Sequence, residues 1–236
     1  MNIAEDSVEN KKKPNSTSLK WITIEGQKQI ATLNFVNGNT VYGEKLTTIG
    51  GKEYRLWDPF RSKLAGAIRK GLNITEFDSC KVLYLGASTG TTVSHISDLI
   101  GRNGIVFAVE STPRVGRELI ENVAMKRSNV IPILEDARKP KLYYSTFGKV
   151  DILYCDIAQQ DQTEIAIQNC KSFLKNNGIL YLVIKSRSID VTKDPKQIIK
   201  QEIEKLEQNN FSIKQVMFLD PYDVDHGFIS ATIENK

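Results

Sequence analysis

The chain has 236 residues, a formal net charge of +4, 40% hydrophobic and 25% charged residues, enough for one well-buried core and a small second domain. That mild basicity falls short of a self-sufficient nucleic-acid binder, so an RNA substrate would need a partner to help hold it. No stretch approaches a membrane span, no signal-peptide pattern opens the chain, and Cys80, Cys155 and Cys170 lack C-x-x-C spacing. A protein that is not exported is expected, with reduced core thiols, no membrane association and, with only two histidines, no metal site.

In chain order, residues 1–18 are polar, carry Lys11, Lys12 and Lys13, and are expected to be disordered. Residues 19–57 read as a small antiparallel β domain: Trp21 to Ile24, Ile30 to Val36 closing on Asn37 and Gly38, then Lys45 to Ile49 and Glu53 to Trp57 around Gly50 and Gly51. Such runs, punctuated by Asn-Gly and Gly-Gly, signal hairpins. Bracing or docking is the job expected of this unit.

A second unit, 58–236, is expected to start with a helix at Asp58 and Pro59, N-cap and first helical position, with Phe60, Leu64, Ala67 and Ile68 facing inward. Lys81 to Gly90 follows as a buried strand ending in a glycine loop, and Thr91 and Thr92 open the next helix. A loop of this kind lets a ligand approach the backbone at glycine and presents free N–H groups at a helix start. Ile105 to Val109 is a second strand ending at Glu110, about 20 residues on, where an acidic side chain meets a ribose in dinucleotide-binding folds. The loop does not spell G-x-G-x-x-G, which argues against a pyrophosphate and for a nucleoside ligand without phosphates, S-adenosylmethionine being the candidate.

A helix from Thr112 and Pro113 burying Val115, Leu119, Ile120 and Val123, a strand Val130 to Leu134 ending at Asp136, and a strand Val150 to Cys155 ending at Asp156 continue the alternation. A helix 161–175, a strand Gly178 to Ile184 ending at Lys185 and a helix from Pro195 to about Gln208 complete it. Strand–helix alternation predicts a mostly parallel sheet with helices on both faces, a Rossmann-like α/β fold. Ser212 to Leu219 and Phe228 to Ile233 are joined by a short loop, so the last strand is expected to run antiparallel. Glu110, Asp136, Asp156 and Lys185 then share the carboxyl edge of the sheet, where ligands bind in such folds. His95 is expected to be structural.

Several segments carry a family resemblance: Trp57 to Leu64 (WDPFRSKL), Leu83 to His95 (LYLGASTGTTVSH), Glu135 to Arg138 (EDAR), Asp156 to Thr163 (DIAQQDQT) and Asp220 to His226 (DPYDVDH). From about Val41 onward the chain resembles fibrillarin, and without the Gly/Arg-rich extension of eukaryotic members it looks like the archaeal form. The resemblance implies a class I methyltransferase sheet and 2′-O-ribose methylation of rRNA and tRNA with S-adenosylmethionine, within a box C/D ribonucleoprotein. Its implied partners are a guide RNA, the target rRNA or tRNA, a Nop-domain scaffold protein and a kink-turn-binding ribosomal-type protein; a cytoplasmic location is expected.

The same resemblance carries the catalytic role to Lys63, Asp156, Lys185 and His226. Cofactor contacts fall on Gly86, Thr91, Thr92, Glu110, Ser111, Asp136, Ala137 and the run Asp156, Ile157, Ala158 and Gln159. Ser111 stands where the family commonly has an aromatic residue, which removes one wall of the adenine pocket. A ribose hydroxyl is a poor nucleophile, so the site must orient it and ease loss of its proton. Lys185, crowded by Lys63, could serve as base in its neutral form, with Asp156 orienting it and His226 positioning it or relaying the proton, and the sequence does not decide which of the two lysines is the neutral one. Arg114, Arg117, Lys126, Arg127, Arg138, Lys139 and Lys141 are candidates for phosphate contact. The rival readings are a small-molecule methyltransferase, which leaves the paired lysines unexplained, and a catalytically idle ribonucleoprotein subunit.

Overall fold

The computed structural model describes residues 18–24, 26–74 and 77–233; the stretch expected to be disordered lies, up to residue 17, outside the described residues. Two sheets organise the described chain. The first contains β1 (Leu19–Ile24), β2 (Gln27–Leu33), β3 (Leu46–Ile49) and β4 (Lys52–Leu56), antiparallel in the order β1-β2-β4-β3. Ile49 pairs with Lys52 across Gly50 and Gly51, whose φ values are 58° and 75°. Positive φ at both central residues is the turn that matches strand twist, and glycine adopts it without a side-chain clash.

The second sheet has seven strands in the order β10-β11-β9-β8-β5-β6-β7. These are β5 (Lys81–Leu85), β6 (Ile105–Val109), β7 (Val130–Ile133), β8 (Val150–Cys155), β9 (Leu174–Lys185), β10 (Phe211–Phe218) and β11 (His226–Ile233). β5 to β9 pair in parallel, and β11 lies antiparallel between β9 and β10. Strand residues alternate between two cores: Val82 and Tyr84 belong to one, Leu83 and Leu85 to the other. Both faces are therefore covered, which is why β5 carries no charge between Val82 and Leu85. The helices are α1 (Lys63–Arg69), α2 (Thr91–Ile100), α3 (Pro113–Leu119), α4 (Gln162–Phe173), α5 (Ser186–Ile189) and α6 (Pro195–Gln208).

Several boundaries differ from the sequence reading for physical reasons. Asp58 does not cap a helix: its carboxylate accepts only from the Phe60 amide, within a turn. The cap is Ser62, whose Oγ accepts from Ala65 N and lies 2.9 Å from Thr92 Oγ1. Lys63 thus opens α1, and Phe60, expected inward, is 66% exposed. The helix begun at Pro113 passes into a π-helical turn over Ile120–Ala124, with Val115 only half-buried. Strand β9 starts four residues earlier than expected, directly after Phe173. Arg127, a candidate for phosphate contact, is fully buried.

Arg127 belongs to a polar network that ties the small sheet to α2. Asp98 on α2 accepts from Arg127 at 2.6 Å and from Arg55 of β4 at 2.8 Å, and Arg55 also pairs with Glu44. Thr32 Oγ1 gives its proton to Asp98 and so accepts from His95 Nδ1 at 2.7 Å, while the Tyr42 hydroxyl, which also reaches Leu56 O at 3.3 Å, lies 2.7 Å from His95 Nε2. The imidazole stacks on Trp57 with centroids 4.6 Å apart. His95 is structural, as expected, and its burial beside Arg55 and Arg127 favours the neutral imidazole.

Removing one member of a buried ion network strands its partners. Asp98→Ala is expected to lower unfolding free energy by about 3–5 kcal/mol, read from urea denaturation; a loss below about 1 kcal/mol would show that the arginines find other partners. Burial, reinforced by Arg55 and Arg127, holds the His95 imidazole well below its usual value. The unfolded chain therefore takes up a proton near pH 6.5 that the folded chain refuses, and stability falls as pH drops below that value. Between pH 7 and 5 the melting temperature of the wild type should fall more steeply than that of His95→Gln, and equal slopes would contradict the neutral assignment.

Candidate functional site

The strand order reverses at β5, which has β6 and β7 on one side and β8 and β9 on the other. Connections from β5 and β8 diverge there and leave a cleft at the carboxyl edge. Gly86, with φ of 80°, allows the two strand ends to close up: a Cβ would lie 2.7 Å from Asp156 O and 3.0 Å from Ile157 Cγ2. The first glycine of the loop is thus required by its neighbours, whatever occupies the cleft. Gly90 is equally constrained, since a Cβ there would meet Val123 at 2.4 Å. Ser88 takes a positive φ of 51°, and its amide donates to Glu110 Oε2 at 2.9 Å.

The cleft holds a cavity of about 260 Å³ between the loop and the ends of β6, β7 and β8. Of the predicted cofactor contacts, Gly86, Glu110, Ser111, Asp136, Ala137, Asp156, Ile157, Ala158 and Gln159 line it. Thr91 and Thr92 do not: the Thr92 hydroxyl faces Ser62, and Thr91 O accepts from Ser94. Glu110 is nearly buried, with Oε2 on the Ser88 amide and Oε1 on the Thr112 amide, each at 2.9 Å. Each oxygen keeps a lone pair for a further donor, the pattern that suits a vicinal diol. Glu110, Glu135, Asp136 and Asp156 face Arg138 and Lys185 in the lining, and Arg138 is itself tied to Asp161 at 2.8 Å. An acidic cavity repels a pyrophosphate and suits a nucleoside that carries positive charge, so the residues present fit S-adenosylmethionine.

Beside the cavity two lysines and a histidine converge on two carboxylates. Lys185 Nζ lies 2.8 Å from Asp156 Oδ1 and donates to the Asp156 carbonyl at 2.9 Å, while Lys63 Nζ lies 3.3 Å from Oδ2. Lys63 also reaches Asp223 at 3.5 Å, and His226 Nδ1 stands 2.9 Å from the other Asp223 oxygen. Burial opposes charge on Asp223, but His226 and Lys63 outweigh it and hold the carboxyl below its usual range. His226 and Lys185 are directly paired across β11 and β9. Four elements remote in sequence therefore bring Lys63, Asp156, Lys185 and His226 together.

Three members of this arrangement escaped the sequence reading. Asp223 links Lys63 to His226, yet beside Asp225 it reads as an ordinary loop acid. Ser62 anchors the helix that carries Lys63 to Thr92. Gln162, fully buried at the start of α4, accepts from the Lys185 amide at 2.9 Å and donates to Gln159 O at 2.8 Å, fixing the end of β9 against the cavity loop. A glutamine at a helix start carries no signal of its own, and only the three-dimensional contact reveals its part.

Comparison with known proteins agrees with this geometry. The family model described as Fibrillarin matches residues 11–235. A fibrillarin-like rRNA/tRNA 2′-O-methyltransferase of Saccharolobus islandicus is 56% identical over 206 residues, 87% of this chain and 88% of that protein. The crystal structure of Aeropyrum pernix fibrillarin with natively bound S-adenosyl-L-methionine superposes with a TM-score of 0.84 at 44% identity, covering 91% of this chain and 94% of that one. The fibrillarin chain of a fibrillarin/Nop5p complex gives 0.81 at 39% identity, covering 92% and 97%. With nearly the whole chain matched and more than half of the aligned residues identical, the protein belongs to the fibrillarin family.

Proposed function

We propose that the chain is an S-adenosylmethionine-dependent 2′-O-ribose methyltransferase acting on rRNA and tRNA, the catalytic subunit of a box C/D ribonucleoprotein. The observation that carries the reading is the convergence of Lys63 and Lys185 on Asp156 at the mouth of an acidic, nucleoside-sized cavity. Binding of a small-molecule acceptor gives no reason for this cluster, and an idle subunit has no need of it. Relatives are named for rRNA and tRNA and crystallised with Nop5p, which supports an RNA acceptor and a Nop-domain scaffold. A guide RNA that selects the nucleotide and a kink-turn-binding protein belong to the same reading. So do the division into a bracing sheet, 19–57, and a methyltransferase unit, 58–236, and a cytoplasmic setting, which suits thiols rather than disulfides at Cys80, Cys155 and Cys170.

Gly86, Glu110, Ser111, Asp136, Ala137 and the run Asp156 to Gln159 would hold the cofactor, with Glu110 available to accept from ribose hydroxyls and Asp136 from an adenine amino group. When bound, the cofactor supplies a methyl group already activated on a sulfonium. The protein's share is to orient the 2′-hydroxyl and remove its proton. Asp156 holds Lys185 at the cavity mouth, and Lys185, acting as a neutral amine, takes the proton of the 2′-hydroxyl. Lys63 balances the Asp156 charge, and His226, held by Asp223, braces Lys185 from the adjoining strand.

Single-turnover transfer to a target RNA in the assembled particle tests this directly. Asp156→Ala is expected to abolish transfer, and Lys185→Ala to reduce it by at least 10²-fold, the usual range for general-base loss, with cofactor affinity retained. Glu110→Ala should instead weaken cofactor binding by tenfold or more, as expected for loss of charge-assisted hydrogen bonds. Undiminished transfer by the Lys185 variant would remove this lysine from the mechanism.

A further inference from the structure

A second cavity lies outside the cofactor cleft. It is a groove of about 490 Å³ between the β1–β2 hairpin, the segment before β3 and the turn that precedes α1. Its aromatic members are Tyr42, Trp57, Phe60 and Tyr222; its cations are Lys28, Lys45, Arg61 and Arg69. Phe60 is 66% exposed and meets Tyr222 edge-on with centroids 5.2 Å apart. The Arg61 guanidinium lies 5.4 Å from the centre of the Tyr42 ring, and Lys28 lies 5.1 Å from the half-exposed ring of Trp21.

Charge in this groove is one-sided. Of the carboxylates among the described lining residues, Glu44 is buried and spent on Arg55 and the amides of Val41 and Tyr42, which leaves Asp58 alone against four cations. An exposed ring interleaved with cations is the surface on which single-stranded nucleic acid stacks its bases and seats its phosphates. A protein partner would favour an apolar groove with fewer charges at its centre.

The groove also shares walls with the reaction site. Arg61 is followed by Ser62 and Lys63, Tyr222 is followed by Asp223, and Lys63 and Asp223 are paired at 3.5 Å. The same two segments thus run from the Lys63–Asp156 cluster into the groove. We propose that the groove holds unpaired nucleotides of the RNA strand that carries the methylated ribose, with a base stacked on Phe60 and phosphates on Arg61, Lys45 and Lys28. This rests on the assignment of RNA as acceptor, and it gives the small sheet a role in substrate binding as well as bracing.

The test is the steady-state kinetics of the assembled particle, with target RNAs that either stop at the guide-paired region or continue past it. For the longer RNA, Phe60→Ala should raise KM on the order of tenfold, the effect of losing one stacked base, with kcat and cofactor affinity unchanged. Lys28→Glu with Lys45→Glu should raise KM further and flatten its dependence on salt, since each phosphate contact adds roughly 0.7 to the single-strand slope. For the truncated RNA all variants should match the wild type. Equal KM values for wild type and variants on the longer RNA would overturn the groove while leaving the methyltransferase reading intact. Loss of scaffold retention with KM unchanged would assign it to a protein instead. A wild type that transfers no methyl to any RNA would overturn the function and this groove together.

Discussion

The site depends on one carboxylate. Asp156 stands at the end of β8, beside the strand where the sheet order reverses, and among the described residues it is the one carboxylate that pairs with both Lys63 from α1 and Lys185 from β9. Its backbone is held as firmly as its side chain. The Asp156 amide donates to Leu85 O, and the approach of residues 156 and 157 to Gly86 leaves no room for a Cβ there. A ligand in the cleft therefore meets a charge whose position is set by the packing of two strands rather than by a loop. Such preorganisation favours proton transfer, because the groups need not rearrange as charge shifts.

What keeps Lys63 within reach is a chain of contacts that begins far from the cleft. The buried network of Arg55, Asp98, Arg127 and His95 fastens the small sheet to α2, and the Thr92 hydroxyl at the start of α2 meets Ser62, the cap of α1. α1 is short, only seven residues, and a helix of that length owes its stability to such anchoring rather than to propensity. The small sheet is thus linked, through α2, to the placement of Lys63. Buried ion networks are weak contributors to net stability but costly to break, which suits a device whose task is to hold one orientation.

Much of this was legible in the sequence. The alternation of apolar runs and amphipathic segments predicted the order of strands and helices, and Glu110, Asp136, Asp156 and Lys185 fall at the carboxyl edge because each closely follows or ends an apolar run. Boundaries failed where a tertiary contact overrode a local signal. Asp58 and Pro59 resemble a helix start, but Ser62 has Thr92 to meet and takes the cap. Arg127 reads as a surface cation until Asp98 is seen opposite it, since no pattern pairs residues 29 positions apart. Asp223 and Gln162 were invisible for the same reason. The role of Gly86 was visible only in part: the loop promised backbone access for a ligand, whereas contact with Asp156 is what forbids a side chain.

The measurement that bears most directly on the proposed reaction is transfer of labelled methyl from S-adenosylmethionine to a target RNA, with the modified nucleotide mapped. It should be run with the protein alone, and then with scaffold protein, kink-turn-binding protein and guide RNA. Label is expected at the 2′-oxygen of one guide-specified nucleotide, and only in the full assembly. Cofactor binding without RNA methylation in any assembly would contradict the proposal, leaving the fold and the cavity but not the reaction assigned to them.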